Sequence, residues 1–174
     1  RFARMYAPAI GTGATMDYLG QTGRDALKGA DIIKAAPEQY TSTIEYANNG
    51  IAKYLRDVAR VHTANLGTQI FYTAHGPFDT HFNQPPMHAR LWTEVSAAIS
   101  DFFDDLREHD AADNLVMMIF TEFGRRVRDN GTGTDHGAGG GAFIIGDNVK
   151  GGMYGTYPSL KPEDLNQGDL DPNY

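Results

Sequence analysis

Apolar residues recur at helical spacing in the middle of the chain and predict one long amphipathic helix. They lie three and four residues apart and therefore share one face: Met87, Leu91, Val95, Ile99, Phe102, Phe103 and Leu106. Pro85 and Pro86 suit the first turn of a helix, and the pattern ends near His109. The spacing therefore predicts a helix between these prolines and that histidine.

Two further helices are predicted before it. A second apolar stripe runs through residues 51–58, and Ser42 or Thr43 is expected to cap a helix that extends to about Asn65. Residues 16–35 have a weaker helical pattern, because each glycine among them costs about 1 kcal/mol relative to alanine.

Apolar runs on either side of the long helix predict strands. Residues 68–73 are rich in strand-forming side chains, and the uninterrupted run 115–120 is typical of a strand buried on both faces of a parallel sheet. A further short strand is predicted at 142–145. Strand, helix and strand in this order predict a βαβ unit with a right-handed crossover, and hence an α/β fold.

Length and composition narrow the class of protein. The 174 residues suffice for one domain, which we expect to be partial, with a less certain N-terminal segment at 1–43 and a βαβ region with an irregular tail at 44–174. The net charge of −7 and the lack of a basic stripe argue against a nucleic-acid partner. Cysteine is absent, which excludes disulfides and thiolate chemistry. No apolar segment approaches the roughly 20 residues that span a bilayer.

Metal-ligand side chains follow the first predicted strand. Asp79 and His81 lie two residues apart in a loop, and zinc accepts both ligand types. An Asx turn with an exposed histidine is the alternative. His88, one turn into the long helix, is a candidate for a supporting role, and His75 is a minor candidate.

Glu122 follows the second predicted strand directly. A carboxylate at this position needs a cation or an ion pair. Arg125 and Arg126, three and four residues on, offer the ion pair. One of these arginines is alternatively suited to a phosphate or sulfate oxygen, because its planar fork fits such anions.

Asp135 and His136 lie in a loop in which six of the eleven residues from Gly131 to Gly141 are glycine. The phosphate-binding Walker pattern is absent, and the glycines do not follow the first strand as a dinucleotide site requires. A flexible loop with an incidental Asp-His pair remains the alternative. Because neighbouring parallel strands end at one edge of a sheet, five residues are expected to converge on one or two divalent cations. They are Asp79, His81, Glu122, Asp135 and His136.

The motifs GPFDTHFNQ, MHARLW, LVMMIFTEFGRRVRDNGTGTDHG and GAFIIGDNVKGGMYGTYPSL together resemble the bacterial domain of unknown function 1501 family. This family is similar to the alkaline-phosphatase-like superfamily of phosphatases, sulfatases and cofactor-independent phosphoglycerate mutases. The resemblance implies a three-layer sandwich around a mainly parallel sheet, incomplete in this chain. It also implies export to the periplasm or beyond.

By this resemblance the chain is part of a metal-dependent hydrolase acting on small-molecule phosphate or sulfate esters. Two divalent metal ions are implied, zinc first, with manganese, magnesium and calcium as alternatives. Asp79 and His81 are implied ligands of one metal, and Glu122 and His136, with Asp135, complete the set. Arg125 belongs to the family's EFGR motif, and we expect it to bind an anion.

Phe123 and the lack of a recognisable nucleophile keep a second function open. Phe123 stands where superfamily members carry a histidine, and Pro77 replaces a glycine of the family motif. The nucleophilic serine or threonine is not recognisable, so we expect it outside this chain. The alternative is a non-catalytic exported protein that binds a partner or an assembly on the same scaffold. A redox or nucleotide-binding module built on the glycine loop is a third, weaker hypothesis.

Overall fold

The structure is a computed structural model that describes residues 13–35 and 40–171. Within these residues three helices come first: α1 (Ala14–Ala35), α2 (Gly50–Thr63) and α3 (Gln84–Glu108). Four short strands and a 3₁₀ turn follow: β1 (Met117–Ile119), β2 (Gly124–Asp129), β3 (Thr134–Gly137), β4 (Phe143–Ile145) and Pro162–Asp164. Residues 1–12 and 36–39 of the predicted N-terminal segment and residues 172–174 of the tail lie outside the described residues.

Helix α2 begins later than the sequence indicates, at Gly50. Its cap is Asn49, whose side-chain oxygen accepts a 2.9 Å hydrogen bond from the backbone N–H of Ala52. Ser42 instead donates its hydroxyl to Glu108 at 2.9 Å, so it is engaged by the end of α3. An asparagine cap competes well with serine or threonine, and here it lies one residue before the first turn.

The main core lies between α2 and α3. Three alanines, Ala52, Ala59 and Ala98, are completely buried, and their small side chains let the two helices approach closely. Larger side chains surround this contact: Leu55, Phe102, Phe103 and Leu106. The stripes predicted from helical spacing therefore face each other, as their period requires.

A buried carboxylate ties the segment before α2 to this core. Asp105 on α3 is completely buried, and its Oδ2 accepts hydrogen bonds from the hydroxyls of Tyr40 and Tyr46, the latter at 2.7 Å. Its Oδ1 has no hydrogen bond within the described part of the chain and lies 3.2 Å from His109 Nδ1. Burial and the bond to Asp105 raise the pKa of Tyr40 to about 12 and raise the pKa of Tyr46 as well.

His109 carries the compensating charge. Its Nδ1 lies 2.8 Å from the carbonyl oxygen of Asp105, and its Nε2 lies 2.9 Å from the carbonyl oxygen of Thr41. Carbonyl oxygens can only accept, so both ring nitrogens donate and the ring is an imidazolium. The hydrogen bond to the Asp105 carbonyl is the main cause that raises the pKa of His109.

The strands form two antiparallel pairs. Strand β1 pairs with β4, with Met118 opposite Ile144, and β2 pairs with β3 as a hairpin. No two strands are parallel within 13–35 and 40–171, so the βαβ unit, the mainly parallel sheet and the three-layer sandwich stay predictions. Residues 68–73 have no regular secondary structure, where a strand was expected.

The apolar run 115–120 differs from the sequence-based expectation in its burial. Side chains alternate across the sheet, and Val116, Met118 and Phe120 are 64%, 58% and 60% exposed. Only the other face packs, through Leu115 and Met117, against the helical core. The strand is therefore covered on one face. None of the described helices is both long and apolar enough to cross a membrane.

Candidate metal centre

Helix α3 holds the loop that carries Asp79 and His81. His88 Nε2 on α3 lies 2.8 Å from Thr80 Oγ1 and 3.2 Å from the carbonyl oxygen of Phe78. Thr80 is buried, while Asp79 and His81 on either side of it are exposed. This alternation fixes the loop through Thr80 and directs its two ligand-type side chains outward.

The β2–β3 hairpin carries His136 and lies against this loop. Asn130 Nδ2, in the hairpin turn, donates to the carbonyl oxygen of His81 at 3.0 Å. On the other side of the loop, Thr134 Oγ1 donates to Gln84 Oε1 at 2.9 Å, and the N–H of Gln84 donates to the carbonyl of Thr132 at 3.1 Å. The start of α3, the loop and the hairpin are thus joined by direct hydrogen bonds.

Close backbone packing explains several of the glycines in this region. Gly124 on β2 lies opposite Gly137 on β3. A Cβ at Gly124 would overlap the carbonyl of Gly139, and a Cβ at Gly137 would lie 2.6 Å from the backbone of Arg125. These glycines therefore let the two strands and the following loop lie in contact, where any side chain would separate them.

Three of the five predicted ligands meet at one point. His136 Nε2 donates to Asp79 Oδ1 at 2.6 Å, and His81 Nδ1 lies 3.5 Å from the same oxygen. The ligand atoms of all three side chains lie within 4.8 Å of one another. The side chains of Asp79, His81 and His136 are 61%, 46% and 42% exposed, so the cluster opens to solvent.

Aromatic and charged neighbours orient the cluster. The His136 ring stacks on Phe123, with centroids 4.1 Å apart and planes 5° from parallel, and the His81 ring lies 4.9 Å from it. The hydrogen bond from His136 is the main cause that lowers the pKa of Asp79, with the charges of the histidines and Arg125 adding to it. Asp79 is therefore a carboxylate at neutral pH, as a metal ligand must be.

The match to known families agrees with the motifs. The family model described as "Protein of unknown function (DUF1501)" matches residues 22–169, most of the chain. The chain belongs to the DUF1501 family. Neither a curated protein nor a solved structure matches it.

In this DUF1501 chain the other two predicted ligands stay apart from the cluster. Asp135 precedes His136 on β3, and adjacent residues of a strand face opposite sides, so its carboxylate points away and accepts instead from Asn130 Nδ2 at 3.2 Å. Glu122 is exposed between β1 and β2. Among the described residues it pairs with neither Arg125 nor Arg126. The Nε of Arg126 instead lies 3.5 Å from Asp169 Oδ2, and the guanidinium of Arg125 donates to main-chain carbonyls.

The remaining candidates have structural partners. His75 Nε2 lies 3.4 Å from Glu94 Oε2 on α3, and its ring contacts Phe78 edge-on. His88 supports the loop, as its position one turn into α3 suggested. The stacking of Phe123 on His136 was missed, because the sequence showed only that a histidine was replaced. A cross-strand position near His136 is the signal that could have revealed it.

Proposed function

We propose that Asp79, His81 and His136 bind a divalent cation, zinc first, in a hydrolase that acts on phosphate or sulfate esters. The convergence of one carboxylate oxygen and two imidazole nitrogens supports this proposal. Such a set of three protein ligands leaves a position for water or substrate, which is typical of catalytic rather than structural zinc. Manganese, magnesium or calcium are alternative ions, and a second cation would draw on Glu122 and Asp135.

A bound cation would polarise a phosphoryl or sulfuryl oxygen and stabilise the charge that develops on it. The chain's own residues hold the ligands in place. Phe123 fixes the plane of the His136 ring, and Thr80 and His88 fix the loop between Asp79 and His81. We place the nucleophilic serine or threonine outside this chain. Membership of the alkaline-phosphatase-like superfamily, its three-layer fold and an exported location are proposed with it, on the resemblance of the motifs.

Zinc titration of the metal-free protein by calorimetry tests the site. D79N and H136Q each remove one ligand atom and are expected to weaken zinc binding at least about tenfold. Loss of a residue that only supports a ligand already lowers metal affinity by about that factor, so loss of a ligand should lower it at least as much. D113N is the matched control for D79N, because it makes the same chemical change at an exposed residue outside the five predicted ligands. Equal zinc affinity in D79N, H136Q and the wild type would contradict the proposal.

Turnover separates this function from the non-catalytic alternative. The full-length protein, loaded with zinc, manganese or calcium, is assayed on aryl phosphate and aryl sulfate esters, with D79N as the control. Metal-dependent release of the aryl alcohol, lost in D79N, supports a hydrolase. Metal binding without turnover on either ester favours a binding or assembly protein, the function that Phe123 in place of a histidine supports.

A further inference from the structure

Arg125 makes a set of hydrogen bonds that its expected role as an anion ligand does not require. Its Nη1 donates to the carbonyl oxygens of Thr80 at 2.7 Å and Thr134 at 2.6 Å, and its Nη2 donates to the carbonyl oxygen of Phe78 at 2.6 Å. Three of the five N–H groups of the guanidinium are therefore engaged by main-chain oxygens. Hydrogen bonds from a charged donor are short and strong, as these are.

These bonds join segments that are distant in sequence. Phe78 and Thr80 flank Asp79 in the loop, whereas Thr134 lies on β3 two residues before His136. The two segments, which carry Asp79 and His136 57 residues apart, are also joined by hydrogen bonds of the hairpin with His81 and Gln84, outside the stretch 78–80. The guanidinium lies between them and contacts both.

The register of the hairpin explains why Arg125 is placed to do this. Arg125 on β2 lies directly opposite His136 on β3, so their side chains share one face of the hairpin. Phe123, two residues earlier, reaches the same region, where it stacks on His136 and lies under the Arg125 guanidinium at 5.2 Å. The arginine, the phenyl ring and the imidazole form one ordered layer beside Asp79.

We propose that Arg125 is a positioning residue, which clamps the Asp79–His81 loop to β3 and so sets the geometry of the ligand cluster. As far as its effect on metal binding is concerned, this inference rests on the proposed function. A lysine cannot replace it fully, because an ammonium lacks the planar fork that reaches three carbonyls at once. The role differs from the anion binding expected from its motif.

Zinc affinity of R125Q and R125K, measured by calorimetry, tests the clamp, with R126Q as the matched control. Arg126 is the next residue and pairs with Asp169 rather than with the loop. We expect R125Q to weaken zinc binding about 10–100-fold, as loss of a supporting partner does, R125K to recover part of it, and R126Q to leave it unchanged. The visible spectrum of bound cobalt(II), which reports ligand geometry, should change in R125Q and not in R126Q.

A metal-free readout keeps the clamp distinct from the proposed function. The rings of His81 and His136 lie 4.9 Å apart, so a nuclear Overhauser effect between them is expected in the wild type and should be lost in R125Q and weakened in R125K. If the wild type binds no zinc, the proposed metal site fails while this contact still tests the clamp. Circular dichroism verifies that the variants remain folded. If R125Q does not fold, the test rests on R125K.

Two outcomes would overturn the clamp. One is a His81–His136 contact, or a zinc affinity, that both Arg125 variants retain. The other is unchanged zinc binding combined with loss of the thermal stabilisation that inorganic phosphate or sulfate gives the wild type, which would make Arg125 an anion ligand.

Discussion

Replacement of Tyr46 by phenylalanine should measure how strongly the buried carboxylate of Asp105 holds the segment before α2. The variant keeps the ring and its packing and removes only the hydroxyl, which donates to Asp105 Oδ2 at 2.7 Å. Asp105 is completely buried, so water cannot replace the lost donor at low cost. Tyr40 then remains the single tyrosine that donates to this oxygen.

The size of the effect follows from the charge of the acceptor. A hydrogen bond to a charged group contributes about 1.5–3 kcal/mol, and Tyr46 is only partly buried, so we expect a loss of about 2 kcal/mol. For a chain of this length each kcal/mol shifts the melting temperature by about 2–4 °C, which gives a decrease of about 4–8 °C. Thermal and urea unfolding followed by far-ultraviolet circular dichroism provide the assay.

Y54F is the matched control for Y46F. Tyr54 is exposed on α2 and its hydroxyl makes no hydrogen bond among the described residues, so the change should stay within about 0.5 kcal/mol. If Y46F and Y54F unfold at the same temperature, the carboxylate does not anchor the segment. Because both tyrosines donate to one oxygen, the loss in the double variant Y40F/Y46F should exceed the sum of the single losses.

Two further predictions concern the other end of this network and the hairpin. The imidazolium of His109 has a raised pKa, so the stability it contributes is full below the ordinary pKa of 6.5 and is lost as the pH rises through the raised value. H109Q should therefore melt well below the wild type at pH 6, and the gap should narrow in alkaline buffer; a gap independent of pH would refute the charge. G124A should destabilise the hairpin and weaken zinc binding, because its methyl group would overlap the Gly139 carbonyl. G141A, where nothing lies within 4 Å, should do neither, and equal melting and affinity of the two variants would contradict this packing.

Periodic patterns explain how much of the fold could be predicted. The stripe of α3 spans about five turns, and its prolines and final histidine lie where a helix starts and stops, so its limits were predictable. The cap of α2 was not, because Ser42, Thr43 and Asn49 all favour a cap. The choice depends on Glu108, a residue distant in sequence that engages Ser42.

The candidate site also has a part that the sequence could predict and a part that it could not. Side-chain types and their places after apolar runs were enough to single out Asp79, His81 and His136. The orientation of Asp135 was not predictable, because the sequence predicted a loop here. The strand β3 (Thr134–Gly137) turns the side chains of Asp135 and His136 to opposite faces. The partners of Arg125 left no trace in the sequence, because main-chain carbonyls are present at every residue.

The exposed face of β1 has a consequence for handling the chain in isolation. Residues 115–120 contain no charge, proline or glycine, and half of their side chains face solvent, where Ile144 lies opposite Met118 and is also exposed. Six-residue segments of this composition favour intermolecular β-pairing when they are exposed. In concentrated solution the chain therefore carries an aggregation hazard at this strand, and a lysine at Met118, facing solvent, is the substitution that should raise its solubility.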